Sequence, residues 1–223
     1  MEAIMKQFRK RSLTGFTIIE MLTVLVIVII IGYSISILMK QVVISYTKIK
    51  SEQEILDTSR NIIRSLTRDL ENAYISKTDN RFSFVGSNTN IDFNAFLETS
   101  LDETNTVEIG YSLNANNQLV RRLEENNIPN LVTSGGNASV LADNIQTLTF
   151  RFCYRNASGD FQYTSLNWDS RVEHFSNYNH KGENKNPDGL PDAVEVSFSL
   201  QDSKAIYPVR SFMTKIYLPQ DKY

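Results

Sequence analysis

The chain has 223 residues and a formal net charge of −2, which fits one domain of ordinary size with one additional element. The near-neutral charge, without a basic stripe, argues against a nucleic-acid groove, which needs clustered lysine and arginine. A single cysteine, Cys153, excludes a disulfide bond within the chain.

An apolar segment near the N-terminus is long enough to cross a membrane. No charged residue occurs from Met21 to Met39, and about 20 apolar residues span the hydrocarbon core of a bilayer. Since positive charge stays on the cytoplasmic side, the chain from about residue 41 onward is expected outside the cytoplasm. The segment is too long for an ordinary secretory signal and lacks its small-residue cleavage site. The basic residues before it are Lys6, Arg9, Lys10 and Arg11.

Glu20 lies at the start of this apolar segment. A charged residue at the middle of a membrane helix costs about 2.5–3.5 kcal/mol on insertion scales, and less near the interface. A plain signal anchor fits the length of the segment but leaves the glutamate unexplained. Because intramembrane carboxylates usually mark a functional contact, Glu20 is expected to have a partner.

The residues around Glu20 resemble the class III signal of type IV pilins and pseudopilins, with a basic pair, then Gly15 and Phe16, then Glu20 and an apolar run. The resemblance implies that a membrane prepilin peptidase cuts after Gly15 and methylates the new N-terminal residue, Phe16. It also implies that Glu20, the fifth mature residue, neutralises the terminal amine of a neighbouring subunit. Pairing these two charges removes most of their cost in hydrocarbon, and a pair between subunits sets the axial register of a filament.

The apolar periodicity continues beyond the membrane segment. Apolar residues recur every seven positions, and charged residues between them, Asp69 included, are predicted to form an outer face. The pattern predicts one helix from residue 16 to about Tyr74, roughly 90 Å long at 1.5 Å per residue. Its second half is expected to pack on a sheet, with a free coiled coil as the alternative. The repeating residues are Ile49, Leu56, Ile63 and Leu70.

After Ser76 the chain changes to short alternating segments separated by turns rich in Asn, Ser and Gly. The fold is therefore predicted to be α+β and pilin-like, with the long N-terminal helix packed on an antiparallel sheet. The predicted parts are a leader peptide (1–15), a transmembrane helix (16–40), an amphipathic helical half (41–76) and a β-rich head (77–223). The predicted strands are Arg81–Val85, Thr106–Leu113, Gln118–Leu123, Gln146–Arg155, Phe161–Thr164, Ala193–Leu200 and Val209–Leu218.

The order of motifs in the head is similar to that of J-type minor pseudopilins of type II secretion and the related W-type minor pilins. These motifs include Arg68-Asp69-Leu70, Trp168-Asp169 and a final strand with Arg210. The resemblance implies a bacterial inner-membrane protein with a periplasmic head, which joins two other minor pseudopilins in a tip complex that primes the pseudopilus. Its partners would be minor and major pseudopilins, the prepilin peptidase and the inner-membrane assembly platform. The alternatives are a minor pilin, a DNA-uptake pseudopilin and a membrane-anchored binding domain.

Residues 184–195 resemble a calcium-binding loop. Asn184, Asn186 and Asp188 alternate before Gly189, and Glu195 follows six residues later, close to the EF-hand spacing. The first ligand is Asn instead of Asp, and a strand follows instead of a helix. The alternative is a turn before a strand, with Glu195 on the solvent face. Calcium is the one cofactor that the sequence indicates.

No other group of residues in the sequence indicates a catalytic or metal-binding site. His174 and His180 lie in a polar loop and are expected to be exposed side chains, with a transition-metal pair as the alternative. Cys153 alternates with outward polar residues on its predicted strand, and it is expected to be an incidental thiol. The sequence contains no phosphate loop, nucleophile elbow or paired carboxylates, and the chain is not expected to be an enzyme.

Overall fold

The computed structural model describes residues 15–76, 78–79, 81–99, 103–125, 136–205 and 207–220. Residues 1–14 of the predicted leader peptide, including its basic residues, lie outside the described residues. The described chain contains one helix, α1, which spans Ile18–Glu71, and eleven strands. The chain divides into two compact units, Met1–Thr47 and Lys48–Tyr223.

Helix α1 has 54 residues and is about 80 Å long at 1.5 Å per residue. Proline is absent from it, so no missing backbone donor interrupts its hydrogen bonds. It ends at Glu71, where the Asn72 side chain donates a 2.9 Å hydrogen bond to the carbonyl of Arg68. The helix stops short of the predicted Tyr74 because Ala73 and Tyr74 form a strand that pairs with Ala95 and Asn94.

In the first unit, the helical residues up to Met39 expose their side chains, and this part of α1 is long and apolar enough to cross a membrane. The hydroxyls of Thr23, Ser34 and Thr47 each donate a 2.8 Å hydrogen bond to the carbonyl four residues earlier. These polar groups are thus satisfied within the helix, as an apolar environment requires.

The strands of the second unit form two antiparallel sheets. The first sheet has seven strands in the order β6-β5-β4-β3-β2-β9, with β1 paired to β3, and the second has four in the order β11-β10-β7-β8. In chain order the strands are β1 (Ala73–Tyr74), β2 (Phe84–Gly86), β3 (Asn90–Thr99), β4 (Glu103–Leu113), β5 (Leu119–Glu124), β6 (Asn137–Ala142), β7 (Ile145–Arg155), β8 (Phe161–Thr164), β9 (Trp168–Asp169), β10 (Ala193–Leu200) and β11 (Arg210–Tyr217).

The core of the second unit joins the helix and both sheets. The helix contributes buried residues at Ile55, Ile62, Leu66 and Leu70. The sheets contribute aromatic rings, and each of these rings contacts the next one across the core. Ring centroids are 5.7 Å apart for Phe84 and Phe93, 6.0 Å for Phe84 and Phe152, and 6.0 Å for Phe152 and Trp168. The predicted packing of the amphipathic helix on antiparallel sheet is confirmed.

The predicted outer face of the helix is wrong at one position, Asp69. This carboxylate is fully buried and accepts 2.6 Å hydrogen bonds from the Tyr111 hydroxyl and from Nε of Arg121. A charged residue near the end of an amphipathic helix can face inward when a cation and a donor from the sheet meet it. Neither partner is close to Asp69 in sequence, so helical periodicity alone could not identify them.

Candidate functional site

Gly15, Phe16 and Thr17 precede helix α1, which begins at Ile18. Phe16 is exposed, and a Cβ built on Gly15 would meet no other atom within 4 Å. The described residues therefore leave space around the predicted cleavage point. The glycine at position 15 is not explained by packing against these residues.

Thr17 and Glu20 form a reciprocal capping arrangement at the start of the helix. The Glu20 carboxylate accepts a 2.8 Å hydrogen bond from the Thr17 backbone N–H and a 3.0 Å bond from the Thr17 hydroxyl, both through Oε2. The Glu20 backbone N–H in turn donates to the Thr17 hydroxyl at 3.3 Å. This is a capping box, in which two backbone donors of the first turn are satisfied by side chains. Such a cap stabilises a helix by about 1 kcal/mol.

The capping box gives Glu20 a partner within its own chain, which the sequence reasoning missed. The signal was readable, because threonine followed three residues later by glutamate marks a helix start. The helix N-terminus also favours negative charge, because its unpaired N–H groups carry partial positive charge. Both contacts from Thr17 go to Oε2, and within the described residues Oε1 accepts no hydrogen bond. Oε1 is therefore available to a cation from outside the chain.

The predicted calcium ligand Asp188 is buried and already holds the backbone around it. Its carboxylate accepts hydrogen bonds from the backbone N–H of His174 at 3.0 Å and of Phe175 at 3.3 Å. Burial raises the pKa of Asp188. The side chain of the loop residue His174 lies 3.5 Å from the same carboxylate. Asp188 thus acts in this structure as a support for the 174–175 backbone.

Glu195 contacts a different group. It lies on β10 opposite Arg151 of β7, and its Oε1 accepts a 2.9 Å hydrogen bond from Nη1 of that arginine. Asn184 forms an isolated bridge with Tyr178, and Asn186 is exposed. The two predicted carboxylate ligands therefore each have a separate protein partner. A calcium ion bound by all four residues would share these two carboxylates with their protein partners or replace the partners.

The cation that the structure places in this loop is the ammonium group of Lys185. Its Nζ donates hydrogen bonds to the Leu190 carbonyl at 3.1 Å, to Asp192 Oδ1 at 3.3 Å and to Gln220 Oε1 at 2.6 Å. The side chains of Lys185 and Asp192 are 11% and 5% exposed, and burial lowers the pKa of Lys185. Three oxygen atoms thus converge on an internal cation beside the predicted calcium ligands. Calcium at 184–195 stays a prediction.

Cys153 is more buried than its place on the predicted strand suggests. It lies on the outward side of β7, yet its side chain is fully buried. Burial raises the pKa of its thiol, which keeps the thiol protonated and unreactive at neutral pH. This arrangement fits the interpretation of an incidental thiol.

In the described part of the chain, no group of three or more His, Cys, Asp or Glu side chains is placed to hold a metal ion. The segment that best combines accessibility, charge and a defined geometry is Gly15 to Glu20. Comparison of the chain with models of protein families finds no match, and comparison with curated proteins finds none either.

Proposed function

We propose that this protein is a minor pseudopilin, a structural subunit of the type II secretion pseudopilus that acts at the tip and in the initiation of assembly. The observation that carries the proposal is the capping box of Thr17 and Glu20, directly after Gly15-Phe16 and at the start of an uninterrupted 54-residue helix. This arrangement holds one oxygen of a carboxylate in place and leaves the other accessible. This carboxylate lies four residues after Phe16, the predicted new N-terminal residue.

In the proposed membrane arrangement, the leader stays in the cytoplasm because it contains the four basic residues. The apolar part of α1 crosses the inner membrane once, and the head is periplasmic. The prepilin peptidase cuts after Gly15 and methylates Phe16. The subunit can then be extracted from the membrane into the pseudopilus.

The proposed assembly contact joins the amine of a mature Phe16 to Glu20 of the next subunit. Each charge alone is costly in an apolar surrounding, and the pair is less so. Within its own chain Glu20 uses Oε2 for Thr17, so the second oxygen can accept from the neighbouring amine without opening the cap. The apolar side chains of the first half of the helix are exposed and supply the surface for packing against helices of other subunits.

The proposed partners are the other minor and major pseudopilins, the prepilin peptidase and the inner-membrane assembly platform. No nucleic acid is a direct partner in this proposal. The head carries no proposed catalytic group, and its role is to present surfaces to neighbouring subunits.

Mass spectrometry of the protein purified from membranes tests the proposal. We expect loss of residues 1–15 and one added methyl group on the α-amine of Phe16. An intact N-terminus would instead support a membrane-anchored binding domain. Co-purification of the processed, detergent-solubilised protein with candidate minor pseudopilins then tests the secretion role, and failure to bind any of them would favour a type IV pilus or DNA-uptake role.

A further inference from the structure

The outer face of the four-stranded sheet contains a cluster of aromatic rings and cations. Strand register aligns Arg151, Glu195 and Lys215 in one row across β7, β10 and β11. A neighbouring row runs from Tyr163 on β8 to Tyr217 on β11 through two small residues, Cys153 and Ala193. We call the cluster the aromatic–cationic patch; its residues are Arg151, Arg155, Phe161, Tyr163, Lys215 and Tyr217.

Lys215 is at the centre of the patch. Its Nζ lies 4.6 Å from the ring centroid of Phe161, 5.1 Å from that of Tyr163 and 4.9 Å from that of Tyr217. It also donates a 2.9 Å hydrogen bond to the Tyr163 hydroxyl. A cation held over the face of an aromatic ring is attracted by the negative charge of that face. The lysine and its rings therefore form a preorganised surface.

The charge of the patch is unbalanced. Arg151 forms an ion pair with Glu195 at 2.9 Å, whereas the charged group of Arg155 lies over the ring of Phe161 at 4.8 Å. In the described part of the chain, neither Lys215 nor Arg155 forms an ion pair with a carboxylate, and Nε of Arg155 is buried without a hydrogen-bond partner. The patch thus presents more positive than negative charge, although the whole chain carries −2.

The patch also leaves apolar surface exposed. Phe161 is 41% exposed and Tyr217 is 60% exposed, and the neighbouring Met213 on β11 is 67% exposed. Arginine, methionine and aromatic residues are the types enriched at protein interfaces, and tyrosine and arginine dominate their binding energy. The ring faces are covered by cations of the same chain, so they are less suited to stacking on nucleic-acid bases, which needs open ring faces.

We propose that the aromatic–cationic patch is a docking surface for an acidic, aromatic-containing segment of a partner protein. Carboxylates of the segment would meet Lys215 and Arg155, and its apolar side chains would pack on Tyr217 and Met213. Charge complementarity selects the acidic partner. The patch lies entirely in the four-stranded sheet, so the inference does not rest on the proposed function and its test needs no assembled fibre.

The test uses the full chain in a non-ionic detergent and a fluorescein-labelled peptide of alternating glutamate and tyrosine, with binding followed by fluorescence anisotropy. We expect saturable binding that weakens as salt rises. Lys215→Glu should weaken it about tenfold or more, which corresponds to about 1.4 kcal/mol. The matched control is Lys181→Glu, an identical charge change at an exposed loop position, and its affinity should stay within about twofold of the wild type.

A second variant guards against loss of folding. Tyr217→Ser removes an exposed ring without reversing charge, and its fold is checked by circular dichroism. It should also weaken peptide binding. Unchanged affinity in a folded Tyr217→Ser variant and in Lys215→Glu overturns the proposal. So does equal binding of a lysine–tyrosine peptide, or tighter binding of a single-stranded oligothymidylate than of the acidic peptide.

Discussion

The hydroxyl of Tyr111 donates a 2.6 Å hydrogen bond to the fully buried carboxylate of Asp69. Asp69 is in the last turn of α1, and Tyr111 is on β4. The same carboxylate accepts from Nε of Arg121 at 2.6 Å and from Nε of Arg68 at 3.1 Å. Burial and the Asp69 charge raise the pKa of Tyr111, which keeps its hydroxyl available as a donor. This network joins the C-terminal half of the helix to the first sheet.

Tyr111→Phe is expected to destabilise the protein by about 1–3 kcal/mol, because it removes one donor from a buried carboxylate. The measurement is urea unfolding followed by the fluorescence of Trp168, the single tryptophan, which is buried in the core. Tyr217→Phe serves as the control, since that side chain is 60% exposed. Equal unfolding midpoints for the two variants would contradict a stabilising role of the Tyr111 hydroxyl.

The helical part of the fold could be predicted because its signals are local. The long apolar run and the absence of proline set the extent of α1 to within a few residues. The buried stripe was less well predicted. Ile49 is 56% exposed, and the buried positions include Ser51 and Ser59, because the face that packs is set by what the head presents to it.

The strands with clear alternation were also predictable, and β8 and β10 have the expected bounds. Strand β3 was missed although Ile91, Phe93 and Ala95 alternate and are buried. Asn90, Asp92 and Asn94 alternate with these residues, and asparagine and aspartate are typical of turns. Their polarity is compensated by tertiary contacts, such as Asn94 Oδ1 accepting from the buried Ser83 N–H at 2.9 Å, and these contacts cannot be inferred from local sequence.

Glu20→Gln separates the two roles of this side chain. Glutamine can replace glutamate in a capping box, so helix initiation should be retained while the charge is lost. We expect normal cleavage after Gly15 and methylation of Phe16, with reduced incorporation into fibres. Incorporation is measured by immunoblotting of sheared fibres, and processing by mass spectrometry.

Thr17→Val is the matched variant, because it keeps the carboxylate and removes the hydroxyl that contacts it. It should weaken the cap by about 1 kcal/mol and reduce incorporation less than Glu20→Gln. If Glu20→Gln assembles as well as the wild type and Thr17→Val does not, the cap and not the charge of Glu20 is what assembly requires.

Stability should depend on pH through Asp169. Its carboxylate accepts hydrogen bonds from Nε of Arg171 at 2.8 Å and from Nη2 at 2.7 Å, and these contacts lower the pKa of Asp169. An acid whose folded pKa is lowered stabilises the fold above its unfolded pKa of about 4 and loses that contribution as pH falls through the folded value. Asp169→Asn should therefore lower Tm at pH 7 by a few degrees. The difference from the wild type should shrink as the pH falls below about 4, and a pH-independent difference would exclude this linkage.

Calcium binding by residues 184–195 can be tested through its effect on Tm. A ligand that binds only the folded state stabilises that state by RT ln(1 + [L]/Kd). Calcium sites of extracellular modules have Kd values of about 10⁻⁴–10⁻³ M, so calcium at about 1 mM would stabilise the fold by roughly 0.4–1.4 kcal/mol. Millimolar calcium should therefore raise Tm relative to a chelator. Asn184→Ala removes one predicted ligand at an exposed position and should abolish the shift without changing Tm in chelator. Asn116→Ala, an exposed asparagine in another turn, should retain it. A wild-type Tm that is the same in calcium and in chelator would show that the loop is held by Lys185 and the backbone contacts of Asp188 alone.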